Sequence, residues 1–160
     1  MKKPTELRKA MMARLPELKN DPARLVIWVE DGAVKARQTE DHSFAFAYPL
    51  SVLLREISTD IAIIAHAINR WLRVNQPDLL AGGSQDSFKF ETDILDNGRA
   101  DIMFTLELTE CVRVTEEEDG SWSIEYLDEP DPLFGDGLPV APNPDTPPLA
   151  GHSVEAIVAD

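Results

Sequence analysis

The sequence predicts a two-layer α/β (α+β) sandwich: a mixed, mostly antiparallel sheet with two main helices on one face. Three observations carry this expectation. Apolar residues recur at three- and four-residue steps within 60–78, large apolar residues alternate with smaller or polar ones through 44–54 and with largely polar ones through 102–109, and tight turn signals separate the later strands. Strands joined by tight turns must be antiparallel neighbours, whereas a helix between the long strand and the next one permits a parallel crossover. Two helices over one sheet is the economical way to bury both apolar faces.

At the start of the chain Leu7, Ala10, Met11, Leu15 and Leu18 repeat with helical spacing, and Thr5 can cap that helix. Pro16 lacks the N–H that would bond one turn back, so either a kink or a second short helix opened by Pro16 is expected. Asp21-Pro22 then supplies a cap with a first-turn proline, or simply a turn. Leu25-Val26-Ile27-Trp28-Val29 has apolar groups on both faces, as in a strand covered on both sides. Asp31-Gly32 has hairpin chemistry and leads into a weaker polar strand over 34–38. Phe44, Phe46, Tyr48, Leu50, Val52 and Leu54 make the strongest strand; Pro49 within it cannot donate to a ladder and marks an edge, a bulge or a bend.

The helix within 60–78 has both ends written into it. Ile61, Ile64, Ala65, Ile68, Trp71 and Leu72 form one stripe, with His66, Asn69, Arg70 and Arg73 opposite. Asp60 can cap the first turn, Arg70 and Arg73 sit where the dipole favours cations, and Pro77 pushes Gln76 out of the helical region. Ile63, Ala67 and Val74 widen the apolar arc beyond what one sheet surface covers, so part of it is expected to meet a second helix or another subunit. Trp71, at one edge of the stripe, is either a core anchor or an interface anchor.

Gly82-Gly83-Ser84 reads as a mobile loop, and Phe88, Phe90 and Ile94 resume the two-residue period before a turn at Asp96-Asn97-Gly98. Ile102, Phe104, Leu106, Leu108, Val112 and Val114 then share one face; Glu117-Glu118-Asp119-Gly120 turns the chain into Trp122, Ile124 and Tyr126. A single domain over 1–127 is expected, followed by a flexible tail over 128–160. Seven of the twelve prolines lie in that tail, with few large apolar groups. Val154, Ile157 and Val158 form a small apolar cluster at its end, which either frays or adds to a partner's surface.

A formal charge of −14 argues against nucleic acid as a bound partner, because phosphate affinity comes from Lys and Arg. The charge is uneven: residues 1–24 carry seven Lys or Arg against three acids, a local +4 that leaves −18 for the rest. A basic segment beside an acidic body can associate head to tail or dock on an acidic neighbour. No apolar run approaches the ~20 residues of a membrane helix, and Met1-Lys2-Lys3-Pro4 leads into no apolar signal segment, so the cytosol is the expected compartment. A single cysteine, Cys111, excludes an internal disulfide and is expected to be a buried structural thiol. His42, His66 and His152 have no partner at a metal-ligand spacing, and His66 reads as a solvated or interface histidine. Glu107, Glu110 and the acids at 116–119 lack calcium-loop spacing and read as a solvated strand face and turn. Gly82-Gly83-Ser84-Gln85 lacks the remainder of a phosphate loop. No catalytic, cofactor-binding or metal-binding residue is expected, and hence no enzyme.

Five stretches in one collinear order carry a resemblance: Lys3-Pro4-Thr5-Glu6-Leu7-Arg8, Asp21-Pro22-Ala23-Arg24-Leu25, Ser43-Phe44-Ala45-Phe46-Ala47-Tyr48, Trp71-Leu72-Arg73-Val74-Asn75-Gln76-Pro77-Asp78 and Leu106-Glu107-Leu108-Thr109-Glu110. Over residues 3–127 the chain resembles the tail completion protein R family of P2-like contractile-tailed phages and prophages. The resemblance implies a virion tail protein, assembled in the host bacterial cytoplasm, that finishes the tail and prepares it for head joining without enzymatic activity or cofactor. Similarity to tail terminators more broadly implies a tail-terminator-like subunit closing into a ring, of six, on the last tube or sheath layer. Its implied partners are copies of itself, the tail tube or sheath protein, and neck or head-completion proteins; DNA only passes through the channel, and no membrane is involved. A transient assembly factor not retained in the virion is the alternative. Lys2, Lys3, Arg8, Lys9, His66, Arg70, Trp71, Arg73 and Gln76 are the candidate interface residues.

Overall fold

The computed structural model describes residues 1–38, 40–81, 86–95 and 97–130, with the backbone alone of 134–135 and 138–139. Two helices open the chain, α1 (Lys3–Arg14) and α2 (Pro16–Asn20), so Pro16 begins a second helix instead of kinking the first. Thr5 lies inside the first turn of α1 and Lys2 holds the cap position without a side-chain cap, which corrects the expected start. One 3₁₀ turn, Pro22–Arg24, leads into β1 (Leu25–Val29), β2 (Ala33–Ala36) and β3 (Phe44–Ile57). Then follow α3 (Ile61–Asn75), the single turn α4 (Asp78–Ala81), β4 (Lys89–Ile94), β5 (Ala100–Glu116) and β6 (Trp122–Tyr126). Two-residue strands β7 (Phe134–Gly135) and β8 (Leu138–Pro139) pair with each other.

The α+β class and the sheet are as the sequence predicts. Long strands β3 and β5 pair from Phe44↔Val112 to Ile57↔Ala100 and form the centre of a six-stranded sheet. Each outer edge is made of two short strands lying end to end. β2 and β1 pair in turn with the two halves of β3, and β4 and β6 pair with the two halves of β5. All these pairings are antiparallel; the parallel relation that the crossover permits falls between β3 and β4, which run the same way on either side of β5.

Asp31-Gly32 therefore does not close a hairpin. β1 and β2 bond to β3 rather than to one another, and the dipeptide jogs the chain from one to the other. Pro49 explains where the break falls: on β3, Ala47 pairs with Ala33 and Leu50 pairs with Val29, so the proline faces the gap in its neighbour. A proline is accommodated in a central strand because the edge strand beside it is interrupted. At the far end a bulge between Leu54 and Ile57 places Glu56 at φ 49° and turns β3 toward α3. The turn before β6 has Gly120 at φ 80°, a conformation that glycine adopts without steric cost.

Both layers follow from the two periods. Leu7, Met11, Leu15 and Leu18 from the first two helices and Ile64, Ile68, Trp71 and Leu72 from α3 pack on Tyr48, Leu50, Val52 and Leu54 of β3 and on Ile102, Phe104, Leu106 and Leu108 of β5. Ala67 is buried as well and α1 packs against α3, so a second helix covers part of the wide arc, whereas Ile63 and Val74 stay exposed. Among the described residues no helix lies on the other sheet face, and this corrects two expectations. Cys111 sits between inward Glu110 and Val112, so its thiol is exposed, not buried. β1 is covered on one face, with Ile27 and Val29 against the core; Val26 and Trp28 are half-buried on the open face.

Entry into α3 is set at both ends of a short loop. Asp60 caps the helix, its Oδ1 accepting the Ala62 N–H at 2.7 Å as predicted. From α2, the Glu17 carboxylate accepts the Ser58 N–H at 3.2 Å, the Thr59 N–H at 3.1 Å, the Thr59 hydroxyl at 2.8 Å and the Ser58 hydroxyl. Partial burial pushes this carboxyl upward, but the hydrogen bonds from Ser58 and Thr59 together outweigh it and hold it at about 2, below the usual 4.5. A depressed carboxylate stabilises the fold fully above its unfolded value, and the contribution disappears as pH falls from 4.5 through 2. Glu17→Gln is expected to cost about 1–2 kcal/mol at pH 7, discounted for solvent screening, with the gap to the parent closing over that acid window. Urea titrations of both proteins across the window check this. A gap that persists at its acid end would mean that the carboxylate charge is not what holds the loop.

The loop expected at Gly82-Gly83-Ser84, the tail from 131 onward apart from the two backbone pairs, and the cluster Val154, Ile157 and Val158 lie outside the described residues, as do Asp96 and His152.

Candidate functional site

The interrupted edge of the sheet creates the most densely bonded polar site among the described residues. β4 leaves β5 at Thr105, and β6 joins it only at Val112, so among the described residues Leu106–Glu110 has no strand on its outer side. Backbone groups in that gap need other partners. Gln76, the C-cap of α3, supplies one: its Oε1 accepts the Thr109 N–H at 3.0 Å, and its Nε2 donates to Thr109 Oγ1 at 3.0 Å and to Asp78 Oδ1 at 2.6 Å. Lys3 supplies the other, its Nζ donating to the Thr109 carbonyl at 2.6 Å, to Gln76 Oε1 at 2.7 Å and to Glu129 Oε1 at 2.5 Å. Three ammonium protons thus meet three acceptors. Two side chains complete the ladder where a strand is missing.

One residue further on, Glu110 points to the helix side and is 3% exposed. Its Oε2 accepts the N–H of Lys2 at 2.7 Å and of Lys3 at 3.3 Å, and its Oε1 accepts the Tyr48 hydroxyl. A strand carboxylate therefore does for α1 what no N-cap side chain does, meeting its free N–H groups and its dipole from outside. This is why the helix begins at Lys3. Burial drives the Tyr48 phenol well above its ordinary range and the bond to Glu110 adds to it, so Tyr48 is a permanent donor. Lys2 Nζ pairs with Asp128 and lies 3.9 Å from Glu6. Among the described residues no buried side-chain nitrogen or oxygen lacks a partner. A cavity of about 460 Å³ opens beside the cluster, lined by Lys2, Lys3, Glu6, Val74, Glu110 and Glu129 among others.

Of the predicted site residues, the fold brings Lys2, Lys3 and Gln76 together here. Lys3 and Gln76 are buried within the chain and Trp71 is 5% exposed in the core, so in this fold all three hold the subunit's own segments together. His66 and Arg73 are exposed on α3, and Arg70 is half-buried there. On α1, Lys9 is exposed, and Arg8 Nη1 donates to the Leu25 carbonyl at 3.0 Å, tying the helix to β1. Glu110 was expected on a solvated face, and its burial is a correction. The signal was in the sequence, since it shares the register of Leu106, Leu108 and Val112; Glu107, one step out of that register, is exposed as expected. Among the described residues no group of three His, Cys, Asp or Glu side chains could hold a metal ion, and His42 stands edge-on to Trp122 at 4.8 Å between ring centres. Among the same residues no helix is long and apolar enough to cross a membrane.

Fold and site together define an α+β subunit whose buried polar chemistry secures its own chain, joining the N-terminus, the end of the main helix and an interrupted sheet edge. The chain belongs to the family of P2 phage tail completion protein R (GpR), which matches residues 1–130. The tail completion protein R of Escherichia phage P2 is 33% identical over 134 residues, covering 82% of this chain and 86% of that protein. No solved structure matches. The resemblance read from the sequence is thereby borne out. Four of the five stretches that carried it, at Lys3, at Tyr48, at Gln76 and at Thr109-Glu110, are the ones that meet in the polar cluster.

Proposed function

We propose that this chain completes the tail of a P2-like phage as a structural component of the virion, working by assembly and not by catalysis. The observation that carries this reading is family membership over residues 1–130, with 33% identity to a protein named for tail completion. In its finer form the reading is a ring of subunits, six in number, on the last tube or sheath layer, presenting a surface to neck or head-completion proteins. Residues 1–127 would form the assembled domain and 128–160 a tail.

Such a ring requires two different patches on each subunit. Exposed Lys9 and Lys19 on α1 and α2, and exposed Glu116, Glu117, Glu118 and Asp119 at the β5–β6 turn, offer opposite charges for a heterologous contact. His66 and Arg73, two turns apart on one side of α3, are the exposed candidates from the helix. The net charge of −14 supports a channel through which DNA passes without being held.

One complementation experiment tests the reading. Phage lacking this protein should yield overlong or headless tails in the electron microscope, rescued by the parent chain but not by Arg73→Glu, which should remain a folded monomer. Normal infectious particles without the protein exclude the role. A protein that is monomeric by light scattering and absent from purified particles replaces the ring with a transient assembly factor.

A further inference from the structure

A second feature, away from the polar cluster, is an uncovered apolar groove. β4 pairs with β5 on one side, and its six residues are all exposed. Phe90, Thr92 and Ile94 stand opposite Phe104, Ile102 and Ala100, so they belong to the inner, helix-bearing face of the sheet, yet α3 does not extend over them. Phe90 is 57% and Ile94 80% exposed. With Ile57, Ile61, Ala100 and Ile102 they line a groove of about 340 Å³ between β4 and the first turn of α3. A contiguous apolar surface beside an open strand edge is a docking surface and an aggregation hazard unless something covers it.

We propose that the groove is the seat of the chain's own C-terminal segment, residues 154–160. Val154, Ile157 and Val158 are the large apolar groups at the end of the chain, and they match the apolar lining of the groove. Glu155 and Asp160 accompany them, and residues 131–160 contain no Lys or Arg, so the segment brings no cation to Arg99 at the rim of the groove, whose Nη1 lies 3.3 Å from Glu56 Oε2. Reach agrees as well. Asp128 and Glu129 line the cavity beside Val74 and Asn75 at the C-terminal end of α3, whereas the groove lies beside Ile61 at its other end, roughly 20 Å away at 1.5 Å per helical residue. The connecting residues 131–153 include six prolines and the paired β7 and β8; at roughly 3 Å per extended residue even the 14 residues beyond Pro139 can span about 40 Å, enough to reach the groove. Tethering makes docking intramolecular, so the segment meets its own groove at an effective concentration that does not depend on that of the protein.

The test uses the full-length chain carrying Cys111→Ser, with Ile94→Cys paired with Val158→Cys, and Val34→Cys paired with Val158→Cys as the control on the exposed β2 edge. Mild oxidation is followed by non-reducing gels and peptide mass spectrometry. The expected result is an intrachain link between positions 94 and 158, formed at least about tenfold faster than in the control and at a rate independent of protein concentration. Adding Ile157→Asp should return that rate to the control value. Equal rates for the two pairs, or indifference to Ile157→Asp, would overturn the assignment. A link that forms only between chains would give the groove to the segment of a second copy and overturn the intrachain form. Tail completion itself is read by imaging particles, so either reading can fail without the other.

Discussion

Glu110→Ala is expected to lower the stability of the chain by about 3–5 kcal/mol, the scale for deleting a buried charged acceptor and leaving its partners behind. Truncation strands three donors at once, the Lys2 and Lys3 N–H groups and the Tyr48 hydroxyl, the last two on buried residues. It also takes away the carboxylate that bonds the free N–H groups at the start of α1. Chemical denaturation at neutral pH measures the loss, and two companions identify its source. Tyr48→Phe removes one donor and leaves a carboxylate still bonded to two N–H groups, so about 1–2 kcal/mol is expected. Glu110→Gln keeps an acceptor oxygen toward the helix and should fall between the two. If Glu110→Ala costs less than about 1 kcal/mol, water replaces the carboxylate and α1 is held by its apolar face alone.

Trp71→Ala is expected to cost about 3–5 kcal/mol as well, but for a different reason, the loss of buried apolar surface and the cavity left behind. Trp71 lies in the core cluster with Ile64, Ile68 and Leu72 of the same helix, and the Asn75 side chain donates to its carbonyl at 2.9 Å near the helix end. The same denaturation assay reads the effect. A Trp71→Ala chain that keeps its stability and fails only in tail assembly would return this side chain to the interface, the alternative its place at the edge of the stripe left open. Arg73, exposed two residues on, gives the opposite expectation, a folded chain with impaired assembly.

The polar cluster was half legible. Lys3 and Gln76 stood among the candidate residues because of the motifs around them, but nothing in their spacing says that they meet. They are separated by 73 positions, and Glu110 lies a further 34 beyond Gln76. Glu110 could have been found from register alone: an acid in phase with Leu106, Leu108 and Val112 must be buried, and a buried carboxylate requires donors. Lys3 had no such signal. Its burial depends on α1 starting against the gap between β4 and β6, a gap that exists only once the strands are paired.

By itself the sequence determined what is local. Helical and two-residue periods placed α3, β3 and β5, Asp60 and Pro77 marked the ends of the main helix, Pro16 divided the N-terminal helices, and the acidic turn before β6 was visible in its residues. Each of these is decided within a few residues by backbone sterics, capping and side-chain alternation. Tertiary structure alone decided what depends on distant partners. It set β1 and β2 end to end along β3 where Asp31-Gly32 promised a hairpin, and it left the Cys111 face open. It also closed the broken edge of β5 with Gln76 and Lys3 in place of a strand. The physical reason is common to all three: an unpaired backbone group or an uncovered face is a property of what packs next to it, and the neighbour is chosen by the whole fold.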